Sequence, residues 1–481
     1  MKLFRGYAVL AAGQTASRLL GLFAFAWLAR VLEPDAYGAA EYVIGIALLA
    51  GTLVDGGSGS VGVSRAARDP GDLSGLAFQI LVVRLIFAVA AVPVVFGVAL
   101  SGPLTIVPKA LAWLFAVSLL AAPWRHEWLF QATERMGSVA AAQVIRAGVF
   151  AGLVWLLVHG PGDLVAVGWA EIGAVAALTG YCVYIQHTRI TPLRLTGSLG
   201  RFWALVKESA TAGAANGVWA MAQYAPLLAI GIAIGGAQTA WFAAAARVVG
   251  SLMVLPYVYH YGLYPAVARA AGRGGGELRR LLSQSCRVAA WGGVFVALAL
   301  TLFAGPFIVM VMGPRLEPSA PILRVMAWVL PVALCSGHAR WTLTAVGAQS
   351  RVLWAQLAGL GAVVTVALLL GPVFEAVAYA LAAVAGALTL WILAHFFAAR
   401  AGLHPPPFTL LLKPAALGAA LLLGVRLTGA GPWLSVAGLG LYVLAAPVID
   451  RSLVRDIAAF GRTARAAGAG GDIEPGVEKS A

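Results

Sequence analysis

Apolar runs of roughly 20 residues, each long enough to cross a ~30 Å hydrocarbon core, follow one another along this chain almost without pause. The 481-residue sequence is 61% apolar and only 11% charged, with a mean hydropathy of +0.88. A soluble chain of this length would form about three domains, and its helices would carry polar faces. The weak alternation over about ten residues that marks a transmembrane β-barrel is missing too. The pattern is that of an all-α polytopic membrane protein.

Fourteen spans can be drawn, near 6–30, 37–55, 76–100, 109–131, 138–158, 164–186, 208–234, 239–266, 286–312, 320–346, 350–371, 374–398, 411–429 and 433–450. The first two form a hairpin, QTASRLLGLFAFAWLARVLEPDAYGAAEYVIG, from Gln14 to Gly45, with an acidic turn at 32–38 and Arg18 inside its first helix. The basic start Met1-Lys2-Leu3-Phe4-Arg5 resembles a signal peptide, but the apolar run behind it is too long and is broken by Arg18. It reads as a retained first helix. Cys182, Cys286 and Cys335 have neither metal-ligand spacing nor a disulfide framework, and read as packing residues.

The connections alternate in charge. One set is short and poor in basic residues. The other holds RAARDP at 65–70, RITPLRLTGSLGRFWALVK at 189–207 and ARAAGRGGGELRR at 268–280. Of the 33 Lys and Arg residues, Arg30, Lys109 and Arg315 fall on the poorer side. The positive-inside rule then predicts both termini in the cytoplasm. The +14 formal charge is a topology signal and calls for no nucleic-acid partner. Beyond Asp450, RSLVRDIAAFGRTARA is predicted as a basic tail, either solvated or amphipathic at the inner leaflet, and GAGGDIEPGVEKSA as disordered.

A repeat is visible. YGAAEYVIG at 37–45 matches FAAAARVVG at 242–250, and Trp128 and Gln143 are spaced as Trp341 and Gln356 are, at nearly the same offset. This predicts two pseudo-symmetric six-helix lobes, 1–188 and 207–399, joined by a basic cytoplasmic linker at 189–206. Two helices at 400–450 and a cytoplasmic tail at 451–481 follow. Both halves start on the cytoplasmic side, so the repeat is parallel.

On these residues the chain resembles the polysaccharide-export flippases, relatives of O-antigen flippases, of the multidrug/oligosaccharidyl-lipid/polysaccharide (MOP) superfamily. The carrying stretches are Ser17-Arg18-Leu19-Leu20-Gly21, ARVLEPDAYG at 29–38, Asp55-Gly56-Gly57, WLFQATERM at 128–136, Ala246-Arg247-Val248, Pro256 and Tyr264-Pro265. The resemblance covers residues 1 to 450. It implies a flippase of the cytoplasmic (inner) membrane that moves a polyprenyl-pyrophosphate oligosaccharide outward for surface polysaccharide, O-antigen or exopolysaccharide assembly. Candidate partners are membrane lipids, a polysaccharide polymerase and chain-length machinery. Ala24 stands where the lipid II branch usually has a second arginine, and no Asp or Glu occurs between Glu208 and Glu277. The resemblance therefore points away from lipid II and from a proton or sodium site in the seventh helix.

The mid-membrane charges are the candidate site. An arginine at the bilayer centre costs at least ~2.5–3.5 kcal/mol, so it faces protein, water or a ligand. Arg18 and Arg247, in opposite halves, are expected to face a central cleft and bind pyrophosphate through two-pronged hydrogen bonds. Arg84 and Arg146 are expected either to join them or to snorkel. Arg125, Arg324, Arg340 and Arg426, near predicted span ends, read as snorkelling. Glu41 and Glu171 are expected as counter-ions for Arg18 or Arg146, or as protonatable coupling groups. Asp55 is expected to pair with a loop arginine such as Arg65 in a cytoplasmic gate. Gln143, Asn216, Gln223 and Gln356 suit sugar hydroxyls or interhelical hydrogen bonds. Pro226, Pro256 and Pro331 are candidate flexing points. No cofactor is expected, and no P-loop motif occurs. The competing readings are a drug/cation antiporter, which needs acids in the cleft, a glycan polymerase or ligase, which needs a large catalytic outer loop, and a structural scaffold.

Overall fold

The computed structural model describes residues 2–101, 107–194, 199–273, 275–428 and 432–458. Among these every regular element is helical. The helices are α1 (Lys2–Val31), α2 (Pro34–Asp55), α3 (Ser58–Arg68), α4 (Leu73–Ser101), α5 (Lys109–Ser118), α6 (Glu127–Ala132), α7 (Met136–Leu157), α8 (Leu164–Ile185) and α9 (Leu199–Ala233). They continue as α10 (Gly236–Leu252), α11 (Val254–Arg273), α12 (Gly275–Leu302), α13 (Ala304–Met312), α14 (Ala320–Met326), α15 (Val329–Ala345), α16 (Gln349–Arg400), α17 (Thr409–Thr428) and α18 (Pro432–Ile449). Parts of the predicted connections at 101–108, 189–206, 268–280 and 430–432, and the tail beyond 458 with its predicted disorder, lie outside the described residues.

Among the described residues ten helical stretches are long and apolar enough to cross a membrane, or eleven with the bent pair Trp433–Ile449 and Arg451–Ala458. The difference from fourteen has local causes. The predicted span 109–131 is broken by the 3-10 turn Leu119–Trp124. The α9 helix, which carries Glu208, Asn216 and Gln223, falls short in apolarity. The spans predicted at 350–371 and 374–398 are two helices counted once, because they join within Gln349–Arg400 at a sharp kink where Glu375 adopts φ 47 and ψ −131. Gln238 of α10 holds that kink, hydrogen-bonding the Glu375 carboxylate and accepting from the Ala376 N–H.

The opening hairpin turns where predicted. Pro34 starts α2 with Asp35 in its first turn, an arrangement that suits the missing proline N–H and the positive helix end. The α2 helix ends on Gly56 and Gly57, both left-handed at φ 52 and φ 77, and α3 begins at once. RAARDP is therefore mostly the end of a helix, and the predicted loop is short. A Cβ at Gly57 would lie 2.4 Å from the Gly213 nitrogen of α9, so the two backbones meet glycine on glycine. At the other end of α2, a Cβ on Gly38 would lie 2.6 Å from the Gly236 carbonyl oxygen of α10.

These close approaches hold α2 against both α9 and α10. Around that contact lies the largest apolar core, reaching from Ala24 and Leu28 of α1 to Tyr379 and Ala382 of α16. Elsewhere α1 packs on α7, α7 on α8, α16 on α9 and α15, and α17 on α12. Of the predicted flexing prolines, Pro226 lies within continuous α9, whereas Pro256 and Pro331 stand in the first turns of α11 and α15, just past helix breaks. After α18 the chain bends by 90° into Arg451–Ala458. Arg287 of α12 ties that bend down, donating from Nη1 to Asp450 at 2.8 Å and from Nε to Asp456 at 2.9 Å.

Candidate functional site

A cavity of about 520 Å³ opens among α2, α4, α8 and α9 and the broken segment from α5 to α6. Its polar wall carries Arg84, Arg125 and Arg146, faced by Asp55, Glu127 and Glu171. Asn216, Trp219 and Tyr224 close it from α9, and Gln131 and Thr179 add neutral polar groups. The broken helix contributes directly, because the 3-10 turn ending at Trp124 lets Arg125 and Glu127 project at mid-chain.

Each cavity arginine has an acidic partner. Arg84 is 4% exposed and makes three contacts: an ion pair with Asp55, Nε to the Ser58 hydroxyl at 2.8 Å, and Nη1 to the Arg125 carbonyl at 3.0 Å. Arg125 Nη2 lies 2.9 Å from Glu127 Oε2. Arg146 Nη2 lies 2.6 Å from Glu171 Oε1, with the Arg146 side chain 33% exposed. A guanidinium has five N–H donors, so Arg146 keeps several free to face the cavity. The cleft is thus a field of paired charges with unspent donors.

Arg18, Arg247 and Glu41 lie outside this cavity, on the contact of α1 and α2 with α10. Arg247 grips Glu41 with two prongs, Nε to Oε1 at 2.9 Å and Nη2 to Oε2 at 2.7 Å. Its guanidinium carbon lies 3.4 Å from the ring centre of Phe25, two helical turns beyond Arg18 on α1. The Tyr37 hydroxyl donates to Glu41 at 2.8 Å. Arg18 Nη1 donates to the Gly250 carbonyl at 2.9 Å.

Two pairings differ from expectation. Glu41 pairs with Arg247, because the close packing of Gly38 on α10 brings those helices together ahead of α1 or α7. Asp55 pairs with Arg84, because α3 is helical and carries Arg65 away to Glu208, Nε to Oε2 at 2.9 Å. Arg125, expected near a span end, lines the cavity and pairs with Glu127. The only local signal was Pro123, two residues before Arg125, inside the apolar turn that breaks the helix. Glu171 does pair with Arg146, and Asn216 does line the cavity. Gln143 is half-buried on α7 and Gln223 exposed on α9, and neither is among the lining residues.

Residues 3–271 match the family described as polysaccharide biosynthesis protein, more than half of the chain. The chain belongs to that family. The whole cavity lies within the matched part. No curated protein matches the chain. Among solved structures, this family member is similar to the lipid II flippase MurJ in its inward closed conformation, with a TM-score of 0.74 at 13% identity over 93% of this chain and 100% of that one. It is also similar to an inward-facing multidrug resistance MATE transporter of the MOP superfamily, with a TM-score of 0.67 at 15% identity, covering 80% of this chain and 94% of that one. An outward-facing MATE structure matches at 0.60 and 15% identity, over 83% of this chain and 95% of that one. This polysaccharide biosynthesis family member therefore has the fold of MOP-superfamily flippases and transporters.

Proposed function

We propose that this chain is a flippase that carries a lipid-linked oligosaccharide, on a polyprenyl-pyrophosphate, from the inner to the outer leaflet of the cytoplasmic membrane for surface polysaccharide synthesis. The observation that carries the reading is the cavity itself, with Arg84, Arg125 and Arg146 on one wall and Asn216 and Gln131 beside them. A pyrophosphate takes up unspent guanidinium donors in two-pronged bonds. Neutral amides suit the sugar hydroxyls next to it.

In this reading residues 1–188 and 207–399 rock as two lobes about the site, both termini are cytoplasmic, and the chain crosses fourteen times. The polar head travels through the cavity while the lipid tail stays in the bilayer. An anionic head leaving a negative interior gains about 2.3 kcal/mol per charge per 100 mV, which biases export. The antiporter reading is less well supported, because each cavity carboxylate already faces an arginine. The reading also makes the chain a transporter and not an enzyme, with a polymerase acting after it.

The test is flipping of a labelled polyprenyl-pyrophosphate oligosaccharide in proteoliposomes, normalised to folded protein. Transfer above that of empty vesicles, lost on Arg146→Gln, is expected. Folded protein that moves no pyrophosphate-linked lipid, yet exchanges organic cations, would overturn the proposal.

A further inference from the structure

Between α11, α12 and α15 lies a buried polar cluster that plays no part in holding the lipid head. His260 of α11 and His338 of α15 are each 1% exposed, and their rings meet edge to face with centres 4.9 Å apart. A buried polar group left without a partner costs about 1–3 kcal/mol, so two such rings inside apolar helices call for a reason.

His338 is well provided for. Its Nε2 lies 2.9 Å from the Ser285 hydroxyl and its Nδ1 3.2 Å from the Cys335 carbonyl. Ser285 in turn meets the Tyr259 hydroxyl at 2.6 Å, which gives a chain Tyr259–Ser285–His338. His260 is different. Its Nδ1 lies 2.7 Å from the Pro256 carbonyl, which can only accept, so this nitrogen carries the ring proton. The other nitrogen, Nε2, is then a bare lone pair, and it has no partner among the described residues.

The surroundings leave that atom little room. A Cβ on Gly337 would fall 2.2 Å from it, and Trp341 lies parallel to the ring at 6.5 Å and 6°. The titratable and charged groups facing the pair are Tyr259 on the same helix, Cys286 on α12, and Cys335, His338 and Arg340 on α15. None is a carboxylate.

We propose that His260 Nε2 is a proton-binding site whose occupancy is tied to how α11 packs on α15, so that transport by this chain responds to a proton gradient. The transport half of this rests on the reading above. A proton taken from water at Nε2 makes an imidazolium that stays buried and faces the Arg340 charge, with the Leu334 carbonyl as its nearest backbone acceptor. The protonated ring therefore favours an arrangement that turns Nε2 toward water or another acceptor. By linkage, the arrangement that moves α11 off Gly337 binds the proton more tightly by the same factor. The helix break just before Pro256 and the bare backbone at Gly337 supply the freedom for that movement.

Two readouts test it on the full-length chain. The first needs no lipid substrate: tryptophan fluorescence of the purified protein is titrated between about pH 4 and 7, the range in which histidines commonly change charge. A quenching step carried by Trp341, present in the wild type and removed by Trp341→Phe or His260→Gln, is expected. The second is flipping of the labelled polyprenyl-pyrophosphate oligosaccharide at clamped zero potential. A pH difference should change the wild-type rate by up to about tenfold per pH unit, the ratio that one bound proton supplies. His260→Gln should keep the rate at equal pH and lose the response. No titration step in the wild type overturns the proton site, whatever the variants do. Flipping that ignores the pH difference overturns the coupling and leaves the transport reading standing. A clear step in a protein that flips nothing supports the site and removes the transport reading.

Discussion

Glu41 and Arg247, which the sequence places in matching segments of its two halves, are joined by a two-pronged ion pair with contacts of 2.9 and 2.7 Å. Glu41 is 1% exposed, Arg247 lies over Phe25, and Tyr37 supplies a further hydrogen bond to the carboxylate. Three residues along α10, Gly250 receives Arg18. Helices α1, α2 and α10 are thus stitched together by the two arginines.

The first prediction concerns that pair. Removing one member leaves an unpaired buried charge, at a cost of about 3–5 kcal/mol. Arg247→Ala and Glu41→Gln should each lower the folded yield and the thermal midpoint. The double change Glu41→Gln with Arg247→Met should recover most of the loss. Thermal unfolding in detergent, followed by size-exclusion fluorescence, reads both. Single variants as stable as the wild type would show that the pair holds nothing together.

Arg146 gives a different expectation. It is one-third exposed to the cavity, and losing its charge leaves Glu171 near the same open space. A hydrogen bond to a charged group is worth about 1.5–3 kcal/mol, which is roughly 10–100-fold in rate or affinity. Arg146→Gln should reduce flipping by that factor while the protein stays folded, and Arg146→Lys should lie between. An unchanged rate would take Arg146 out of the site.

The sequence made the membrane class and most helices plain, because hydropathy acts over whole spans and tolerates local error. The turn at Pro34 and the break at Gly56-Gly57 were equally legible, since proline and glycine act within one or two residues. Partner choice was harder. Arg84, Arg146 and Arg247 were all visible as costly charges, but which acid each one meets depends on helix rotation and on close approaches such as Gly38 on Gly236. Arg125 escaped because it sits in a span that breaks, and a hydropathy window averages over such a break. The His260–His338 contact joins helices far apart in sequence, with no spacing to announce it.

Backbone contact at Gly57 yields the third prediction. An alanine there must adopt φ near 77, which costs roughly 1–2 kcal/mol for an L-residue, and its Cβ would meet the Gly213 nitrogen at 2.4 Å. Gly57→Ala should therefore lower membrane abundance and the thermal midpoint sharply. Gly361→Ala, where a Cβ meets nothing within 4 Å, should stay within about 0.5 kcal/mol of wild type. Equal behaviour of the two variants would mean that α2 and α9 do not approach as closely as the fold requires.

Orientation is tested by single cysteines in a background lacking the native three. Positions in 235–238 and 313–319 should react with an impermeant thiol reagent from outside, and positions in 189–194 and 268–273 should not. The reverse pattern would invert the proposed topology and, with it, the direction of export.

Arg18 gives the last prediction, because it is half-buried and has no acidic partner in its hydrogen bond. It donates to a carbonyl, that of Gly250 in the final turn of α10, which accepts only a long 3.3 Å bond from the Met253 N–H and lies at the negative helix end. Losing one such bond costs the fold only about 0.5–1.5 kcal/mol. Arg18→Ala should therefore remain folded, in contrast to Arg247→Ala. If Arg18 exchanges the Gly250 carbonyl for the pyrophosphate as the head passes α1 and α10, the same variant should lose roughly 10–100-fold in flipping. Lysine should restore part of it, keeping the charge without the planar fork. Stability and flipping measured on the same preparations separate the two roles. A well-folded Arg18→Ala variant that flips at the wild-type rate would reduce Arg18 to a helix cap, and would leave Arg84, Arg125 and Arg146 as the whole of the anionic-head site.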